Sequence, residues 1–175
     1  MIHRQLTHNE HQYLGYKYPL AFMMDNIIDP RNVGSAFRLA DALGVEKMYL
    51  IGNTPFPQNK IIRKTARGTE DEILWEYYSN VNDGINKVKT DGYSIISAEI
   101  TDNSKDLSDY NFKKIKKICL AVGAENEGVS QKILNSSKDV IHIKMLGVNS
   151  SMNVTAALSI IAYQIINQWV KIIKL

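Results

Sequence analysis

Apolar residues along this chain are grouped in short runs that alternate with segments of helical periodicity. The runs at 20–24 and 45–51 predict two buried strands. Between these runs, apolar residues recur at the spacing of one helical face: Val33, Ala36, Phe37 and Ala40. Gly44 stands where the C-terminal cap of such a helix belongs. The chain therefore begins with a predicted β-α-β unit.

The same alternation continues to the end of the chain. Further strands are predicted at 93–98, 118–122 and 140–143, and further helices at 81–89, 130–134 and 154 to about 170. The polar segments 53–69 and 102–117 are predicted as loops. We therefore expect one α/β domain over 20–175, with a mainly parallel sheet flanked by helices, preceded by a short N-terminal extension over 1–19. Functional sites in such sheets lie beyond the C-terminal ends of the strands.

Composition supports a folded protein outside the membrane. Of 175 residues, 45% are apolar and 22% are charged, which fits one globular domain. The N-terminus lacks the apolar segment of a signal peptide, and the most apolar stretch, 154–166, is shorter than the roughly 20 residues that span a bilayer. The single cysteine, Cys119, lies in an apolar run and favours a buried thiol in a reducing compartment. We expect a cytoplasmic protein.

Charge is distributed unevenly along the chain. The net charge of +3 does not by itself indicate nucleic-acid binding. Four basic residues nevertheless lie within one short segment: Lys60, Arg63, Lys64 and Arg67. A solvated basic loop and a contact surface for RNA phosphates both remain open for this cluster. Apart from the pair His8 and His11 near the terminus, the histidines have no metal-ligand spacing, so we expect no metal site.

Three predicted strands run into loops that are dense in Gly, Asn, Ser or charged residues. These loops, at 29–38, 123–128 and 145–153, would meet at one edge of the sheet. The second has a Gly-x-Glu-x-x-Gly pattern, but Glu125 and Glu127 would repel a pyrophosphate. Neither the dinucleotide-binding pattern Gly-x-Gly-x-x-Gly nor the phosphate-loop pattern of nucleotide-binding proteins is complete in this sequence. A cationic or neutral ligand fits this loop better than a dinucleotide.

The polar residues of these loops also have purely structural interpretations. Asn32 can cap the first helix, and Arg38 can be a solvated helical arginine. Ser150, Ser151 and Asn153 can cap the last helix. The same side chains would also form a surface that hydrogen-bonds a polar ligand.

In this order, the three loops resemble the signature motifs of the SpoU/TrmH family of RNA ribose 2′-O-methyltransferases in the SPOUT superfamily. The segment 29–34 with Arg38 is similar to the first motif, 122–128 to the second and 143–156 to the third. The segment 64–69 is similar to a further family stretch. The resemblance covers about residues 23–168, and the ordered conjunction is far more specific than any one motif.

The resemblance implies both a fold and an activity. The fold would be of the SPOUT type, in which the C-terminal part is tied into a deep trefoil knot that binds S-adenosylmethionine. The activity would be methyl transfer to a ribose 2′-hydroxyl of RNA by a homodimer, with tRNA as the leading substrate and rRNA as the alternative. A catalytically inactive RNA-binding paralogue is the other interpretation. The presence of every polar motif residue favours an enzyme.

The resemblance also implies roles for single residues. The cofactor-binding positions are Ala98, Gly123, Ile143 and Met152. The polar site positions are Asn32, Arg38, Glu125, Ser151 and Asn153. Because a guanidinium stays protonated in proteins, we expect Arg38 to anchor a phosphate and to stabilise negative charge. We expect Glu125 or Ser151 to organise the hydroxyl, and the basic cluster to contact RNA phosphates.

Two residues depart from the family's third motif. Met152 replaces the usual Leu, which is a mild change because the two side chains are similar in volume. Lys144 replaces the usual Pro and adds a charge beside the cofactor loop. We expect Lys144 to weaken cofactor binding if its side chain points inward.

Overall fold

The structure, a computed structural model, describes residues 3–7, 10 and 15–173 as seven strands, six α-helices and one 3₁₀ helix. The strands are β1 (Tyr18–Asp25), β2 (Val45–Ile51), β3 (Leu74–Tyr78), β4 (Ser94–Ala98), β5 (Lys105–Asp106), β6 (Ile118–Gly123) and β7 (Asp139–His142). The α-helices are α1 (Pro30–Ala42), α2 (Lys60–Ala66), α3 (Thr69–Glu72), α4 (Val81–Thr90), α5 (Gln131–Ser136) and α6 (Val154–Ile173). The 3₁₀ helix, Phe112–Lys114, precedes β6.

The strands form one sheet in the order β3-β2-β1-β6-β4-β7-β5. Every described pair of neighbouring strands is parallel. The predicted α/β architecture with a parallel sheet flanked by helices is therefore confirmed. Because all strands run in one direction, the loops that follow β1, β6 and β7 emerge at the same edge.

Helices cover both faces of the sheet, and β1 shows how the core is divided. Leu20, Phe22 and Met24 belong to the apolar cluster that includes α1 and α6, whereas Ala21 and Met23 belong to the cluster that includes α4 and α5. All five side chains are fully buried. A central strand buried on both faces reads as a continuous apolar run, which is why the sequence predicted β1 clearly.

Cys119 lies in β6 with a fully buried side chain, as predicted. Burial in this apolar layer raises the pKa of its thiol above the ordinary value. A protonated, inaccessible thiol is chemically inert, so Cys119 serves packing alone.

Helix α1 begins at Pro30, and its N-cap is Asp29, whose carboxylate accepts a hydrogen bond from the Arg31 backbone N–H at 2.8 Å. The prediction that Asn32 caps this helix is wrong. Asn32 lies inside the first turn with a buried side chain, because Asp29 followed by Pro30 is the better start signal. The other end agrees with the prediction, since Gly44 follows the helix with φ +62°.

The prediction of a loop over 53–69 is wrong, because this segment contains α2 and ends at the first residue of α3. Helix α2 is seven residues long and buries Ile62 and Ala66. A single pair of buried residues at i and i+4 is too short a pattern to predict a helix from the sequence. Tertiary packing holds α2 instead, since a Cβ on Gly34 of α1 would lie 2.8 Å from the Ile62 carbonyl oxygen.

Smaller differences concern strands at the sheet edges and element boundaries. Strand β3 was not predicted, because as an edge strand it is largely exposed and lacks a buried run. The predicted loop 102–117 contains the two-residue β5 and the 3₁₀ helix. Strand β7 ends at His142, so Ile143 lies just beyond it, and β1 begins at Tyr18, two residues before the expected domain start.

Within the described ranges, the structure shows neither a candidate metal site nor a membrane-spanning helix. No group of three or more His, Cys, Asp or Glu side chains in these ranges is placed to hold a metal ion. His8 and His11 lie outside the described residues. No helix in the part of the chain that the structure describes is both long and apolar enough to cross a bilayer.

An ionic network ties β2 to β3 and to the end of α4. The Lys47 ammonium lies 2.6 Å from a Glu76 oxygen and 2.8 Å from an Asp91 oxygen, and its side chain is only 14% exposed. Asp91 also accepts hydrogen bonds from Tyr49 at 2.6 Å and from Lys87 at 2.7 Å. Partial burial raises the pKa of Asp91, but the hydrogen bonds from Lys47, Lys87 and Tyr49 lower it by more than burial raises it. The pKa of Asp91 is therefore well below the ordinary value.

We predict that Asp91→Asn lowers the free energy of unfolding by about 2 kcal/mol at pH 7, because Lys47 loses a charged partner in a half-buried site. The pKa of Asp91 is depressed on folding, so its contribution is present above the ordinary carboxylate pKa and is lost as the pH falls. Urea unfolding at pH 7 and pH 3 should show the two proteins converging in acid. Asp102→Asn, at an exposed position, is the matched control. Equal stability of Asp91→Asn and wild type at pH 7 would contradict the prediction.

Candidate active site

The loops that follow β4, β6 and β7, together with Asn26 after β1, surround a cleft of about 1330 Å³ at the C-terminal edge of the sheet. All four residues expected to hold a cofactor line this cleft: Ala98, Gly123, Ile143 and Met152. Three of the five expected polar residues also line it: Glu125, Ser151 and Asn153. The structure therefore brings together residues that are far apart in the chain.

The loop after β6 is a tight turn that requires glycine at both ends. The Gly128 N–H donates to the Ala124 carbonyl oxygen at 2.8 Å, and the two residues form an isolated antiparallel bridge. A Cβ on Gly123 would lie 2.1 Å from the carbonyl group of Gly128. Gly128 has φ +67°, which favours glycine. The turn therefore closes only without side chains at these two positions.

A chain of hydrogen bonds joins the loops after β6 and β7 through the first turn of α1. The Asn153 Oδ1 caps α6 by accepting from the Thr155 backbone N–H at 2.9 Å. The Asn153 Nδ2 donates to the Asn32 Oδ1 at 3.1 Å, and the Asn32 Nδ2 donates to the Glu125 Oε1 at 3.0 Å. An amide has one accepting oxygen and one donating nitrogen, so the helix cap fixes the orientation of every member.

This chain leaves Glu125 with one oxygen for a ligand. Its Oε1 accepts from Asn32, while within the described ranges its Oε2 accepts no hydrogen bond. Ser151 also lines the cleft and has an exposed side chain. The cleft mouth therefore presents an oriented carboxylate oxygen and a hydroxyl, which suits a ligand that brings its own O–H donor.

Arg38 is not part of this arrangement within one chain. It lies on the exposed side of α1, six residues after Asn32 and therefore about 120° away around the helix axis. It does not line the cleft, and it forms no ion pair with any described residue. The arginine nearer the cleft is Arg31, whose pKa is raised by its hydrogen bond to Asp29 and, more weakly, by Glu125.

Two carboxylates at this edge were missed by the sequence analysis. Glu99 follows β4 and lines the cleft, and its Oε2 accepts from the Val129 backbone N–H at 3.0 Å. Asp25 ends β1, is fully buried and accepts from the Ser130 backbone N–H at 2.7 Å. Both hold the exit of the 123–128 loop. Their position directly after a predicted strand was the available signal.

Charge around the cleft is one-sided. Glu99, Glu125 and Glu127 line it, and none of its lining residues in the described ranges is Lys or Arg. Lys144 is exposed and lies outside the lining, so its charge does not point into the cleft. The lining suits a cationic or neutral ligand, as the sequence predicted, and disfavours a polyphosphate.

The basic residues expected to bind RNA lie outside the cleft, at α2. They occupy positions i, i+3, i+4 and i+7, so they form one exposed stripe along the helix, which we call the basic stripe: Lys60, Arg63, Lys64 and Arg67. Arg63 lies 3.8 Å from Glu70, whose side chain is buried. A helix in place of the expected loop therefore gives these charges a fixed spacing.

Comparison with known proteins identifies similar sequences over most of the chain. The SpoU rRNA Methylase family profile matches residues 19–163. The tRNA (guanosine(18)-2′-O)-methyltransferase of Escherichia coli (strain K12) is 26% identical over 83% of this chain and 62% of its own length. A 23S rRNA (guanosine-2′-O-)-methyltransferase of Blochmanniella floridana is 27% identical over 86% of this chain and 58% of its own. The chain thus spans about three-fifths of these relatives.

Solved structures share the fold. The TrmH/SpoU tRNA modifying enzyme of A. aeolicus has a TM-score of 0.77 and 26% identity over 89% of this chain and 77% of its own. The SpoU methyltransferase of Streptomyces viridochromogenes, solved in complex with the cofactor AdoMet, has a TM-score of 0.79 and 20% identity over 86% of this chain and 60% of its own. At that identity the second likeness is one of fold.

We predict that Gly123→Ala lowers the free energy of unfolding by about 2 kcal/mol or more, because its Cβ would overlap backbone atoms of Gly128 that cannot move independently. Gly147→Ala is the matched control on the cleft rim, since a Cβ there meets no atom within 4 Å. Urea unfolding of both variants measures the difference. Equal stabilities would show that the turn adapts, and would contradict the close packing.

Proposed function

The chain belongs to the SpoU rRNA Methylase family, and from this premise we propose that it transfers a methyl group from S-adenosylmethionine to a ribose 2′-hydroxyl of RNA. The observation that carries the proposal is the hydrogen-bonded chain from Asn153 through Asn32 to Glu125, at the mouth of a cleft with the expected cofactor residues in its wall. An inactive RNA-binding paralogue would have no physical need to keep a carboxylate oriented in this way.

The cleft residues fit the methyl donor. The apolar part of the cleft lining, which includes Ala98, Ile143 and Met152, suits the adenosine and the aliphatic carbons of S-adenosylmethionine. Gly123 and Gly128 line the cleft without side chains, so a ligand can contact their backbone groups. Glu99 and Glu127 favour a ligand that carries a positive charge. When bound there, S-adenosylmethionine supplies an electrophilic methyl group on a sulfonium centre.

The chain's own residues account for the remaining requirements of the reaction. A ribose hydroxyl is a weak nucleophile and must be aligned and relieved of its proton. The Oε2 of Glu125 accepts a hydrogen bond from this hydroxyl and takes its proton as the oxygen–methyl bond forms and the sulfur–methyl bond breaks, and Asn32 keeps the carboxylate in that orientation. Ser151 offers a second hydrogen-bonding group at the same mouth. Arg38 anchors a neighbouring phosphate and stabilises negative charge on the reacting oxygen.

The active unit in this proposal is a homodimer. Large apolar side chains are exposed on the loop after β1, on the loop after β7 and on α6: Ile28, Leu146, Val148, Ile160 and Tyr163. All lie on elements that form the site. Burial against a second copy removes them from water and places the site near the subunit interface, where the exposed Arg38 of one copy can reach RNA held by both.

Three finer features complete the proposal. The C-terminal part of the fold, from β6 through α6, forms a trefoil knot, in keeping with the SPOUT-type fold. The substrate is tRNA, supported by the A. aeolicus tRNA modifying enzyme at 26% identity, with rRNA as the alternative. The protein acts in the cytoplasm, where a reduced Cys119 is expected.

The catalytic proposal is tested with purified protein, S-adenosylmethionine and either tRNA or rRNA. We expect nucleoside mass spectrometry to find one new ribose methylation in one of the two RNAs. Glu125→Gln and Arg38→Ala should each reduce the rate at least 100-fold while calorimetric affinity for S-adenosylmethionine changes less than threefold. Arg38→Lys should recover little, because a point charge cannot reproduce a bidentate fork.

Separate outcomes would contradict separate parts of this proposal. Wild-type turnover by Arg38→Ala would assign Arg38 to the solvated helix surface. Wild-type turnover by Glu125→Gln would remove the carboxylate from the reaction. No methylation of either RNA, with no heat on adding S-adenosylmethionine, would overturn the activity itself.

The basic stripe provides a second prediction. Reversing Lys60 and Lys64 to Glu should weaken RNA binding for all sequences and flatten the log-log salt dependence by roughly 0.7 to 0.9 per lost phosphate contact. Lys113→Glu with Lys114→Glu is the matched control, because this pair lies before β6, away from the cleft edge. Filter binding at several salt concentrations measures both. An unchanged slope in the Lys60/Lys64 variant would show that the stripe is a solvated surface.

A further inference from the structure

Three aromatic side chains cluster on β3 and on the loop after β2, and we call them the aromatic surface: Phe56, Trp75 and Tyr77. Phe56 and Tyr77 lie towards the same edge of the sheet as the cleft, because Phe56 follows the end of β2 and Tyr77 is next to the end of β3. The Phe56 ring centroid lies 4.9 Å from that of Tyr77 and 6.3 Å from that of Trp75, with the Phe56 and Trp75 rings stacked. Phe56 and Tyr77 remain 37% and 38% exposed. Two rings are thus held together with their outer sides open to solvent.

The segment that carries Phe56 is rigid. Pro55 and Pro57 flank it and restrict its backbone torsions. Thr54 is buried, and its hydroxyl oxygen accepts from the Ile27 N–H at 3.0 Å and donates toward the Ile51 carbonyl oxygen at 2.8 Å. The ring therefore loses little conformational freedom when a ligand stacks on it.

Hydrogen bonds connect this surface to the cleft. Asn26 lines the cleft, and its Oδ1 accepts from the Asn53 backbone N–H at 3.0 Å. The Tyr77 hydroxyl donates to the Gly52 carbonyl oxygen at 2.8 Å. The segment 52–56 therefore links the wall of the cleft to the aromatic surface, so an RNA strand entering the cleft is able to cross both.

The charge next to the aromatic surface is positive. The basic stripe begins at Lys60, four residues after Phe56, and extends about 10 Å along α2. The exposed carboxylates of Asp71 and Glu72 follow in α3, beyond the far end of the stripe at Arg67. The Phe56 carbonyl oxygen accepts from the Asn59 N–H at 2.9 Å, so Phe56 lies one turn before the Lys60 end of the stripe, which is the end away from these carboxylates.

We propose that the aromatic surface stacks an unpaired base of the substrate RNA while the basic stripe holds the phosphates of the same strand. This inference rests on the proposed RNA methyltransferase function and specifies its substrate as RNA with a single-stranded segment beside the target ribose. Exposed aromatic rings next to a basic groove are the combination by which proteins bind single strands, because every base has a face that stacks. Paired bases in a duplex cannot reach the rings.

The inference is tested with the full chain and two probes of one sequence: a single-stranded RNA 12-mer that contains 2-aminopurine, and the same 12-mer in a perfect duplex. We expect Phe56→Ala to weaken single-strand binding about tenfold, which corresponds to about 1.4 kcal/mol, and to abolish the 2-aminopurine quenching that the wild type causes. Duplex affinity and S-adenosylmethionine affinity should change less than twofold. Phe56→Trp should restore single-strand binding.

Leu74→Ala is the matched control, because Leu74 is an exposed apolar residue of β3, the strand that carries Trp75 and Tyr77, but lies outside the ring cluster. It should leave both probes unaffected. Equal losses for single strand and duplex, or none for either, with normal wild-type binding would overturn the inference alone. If Phe56→Ala leaves RNA binding intact but removes binding of another protein, the surface is a protein contact and the inference is wrong. Wild-type protein that binds neither probe would contradict the proposed function as well.

Discussion

The site depends on a three-member hydrogen-bonded chain whose polarity is set by a helix cap. Asn153 uses its oxygen to cap α6, so only its nitrogen is left for Asn32, and Asn32 in turn has only its nitrogen left for Glu125. Asn153 lies in the loop after β7, Asn32 in the first turn of α1 and Glu125 in the loop after β6. One local requirement, the capping of α6, thus determines the orientation of a carboxylate 28 positions earlier in the sequence.

The cleft beside these three residues owes its shape to two glycines and its negative charge to three lining carboxylates, Glu99, Glu125 and Glu127. Gly123 and Gly128 allow a turn so tight that neither tolerates a Cβ, and Glu99 holds the exit of this turn through the Val129 amide. Positive charge lies instead on α2, outside the cleft. Under the proposed function, a cationic methyl donor and a polyanionic RNA would therefore occupy separate places in one molecule, which avoids competition between them for the same charges.

The sequence predicted elements well wherever burial was continuous. Strand β1 is buried on both faces and helix α1 has a full apolar stripe, so both were recognisable from their patterns. The edge strand β3 and the seven-residue α2 carry no such pattern, because tertiary contacts with β2 and α1 hold them. The expected cofactor residues that line the cleft followed from motif order, whereas Glu99 and the ring cluster around Phe56 depend on contacts that no local pattern encodes.

The sequence by itself determined the α/β class, the three glycine- and asparagine-bearing loops and the residue types of the site, because burial periodicity and turn chemistry are local properties. Only the tertiary structure decided that Asn32 bridges two loops when the sequence suggested a helix cap, and that Lys60 and its neighbours lie on a helix. The tertiary structure also places Arg38 outside the cleft of the same protein chain. These outcomes depend on which side chain caps a helix and which side chains pack together. Such contacts join residues that are distant in the chain, so a local sequence pattern does not reveal them.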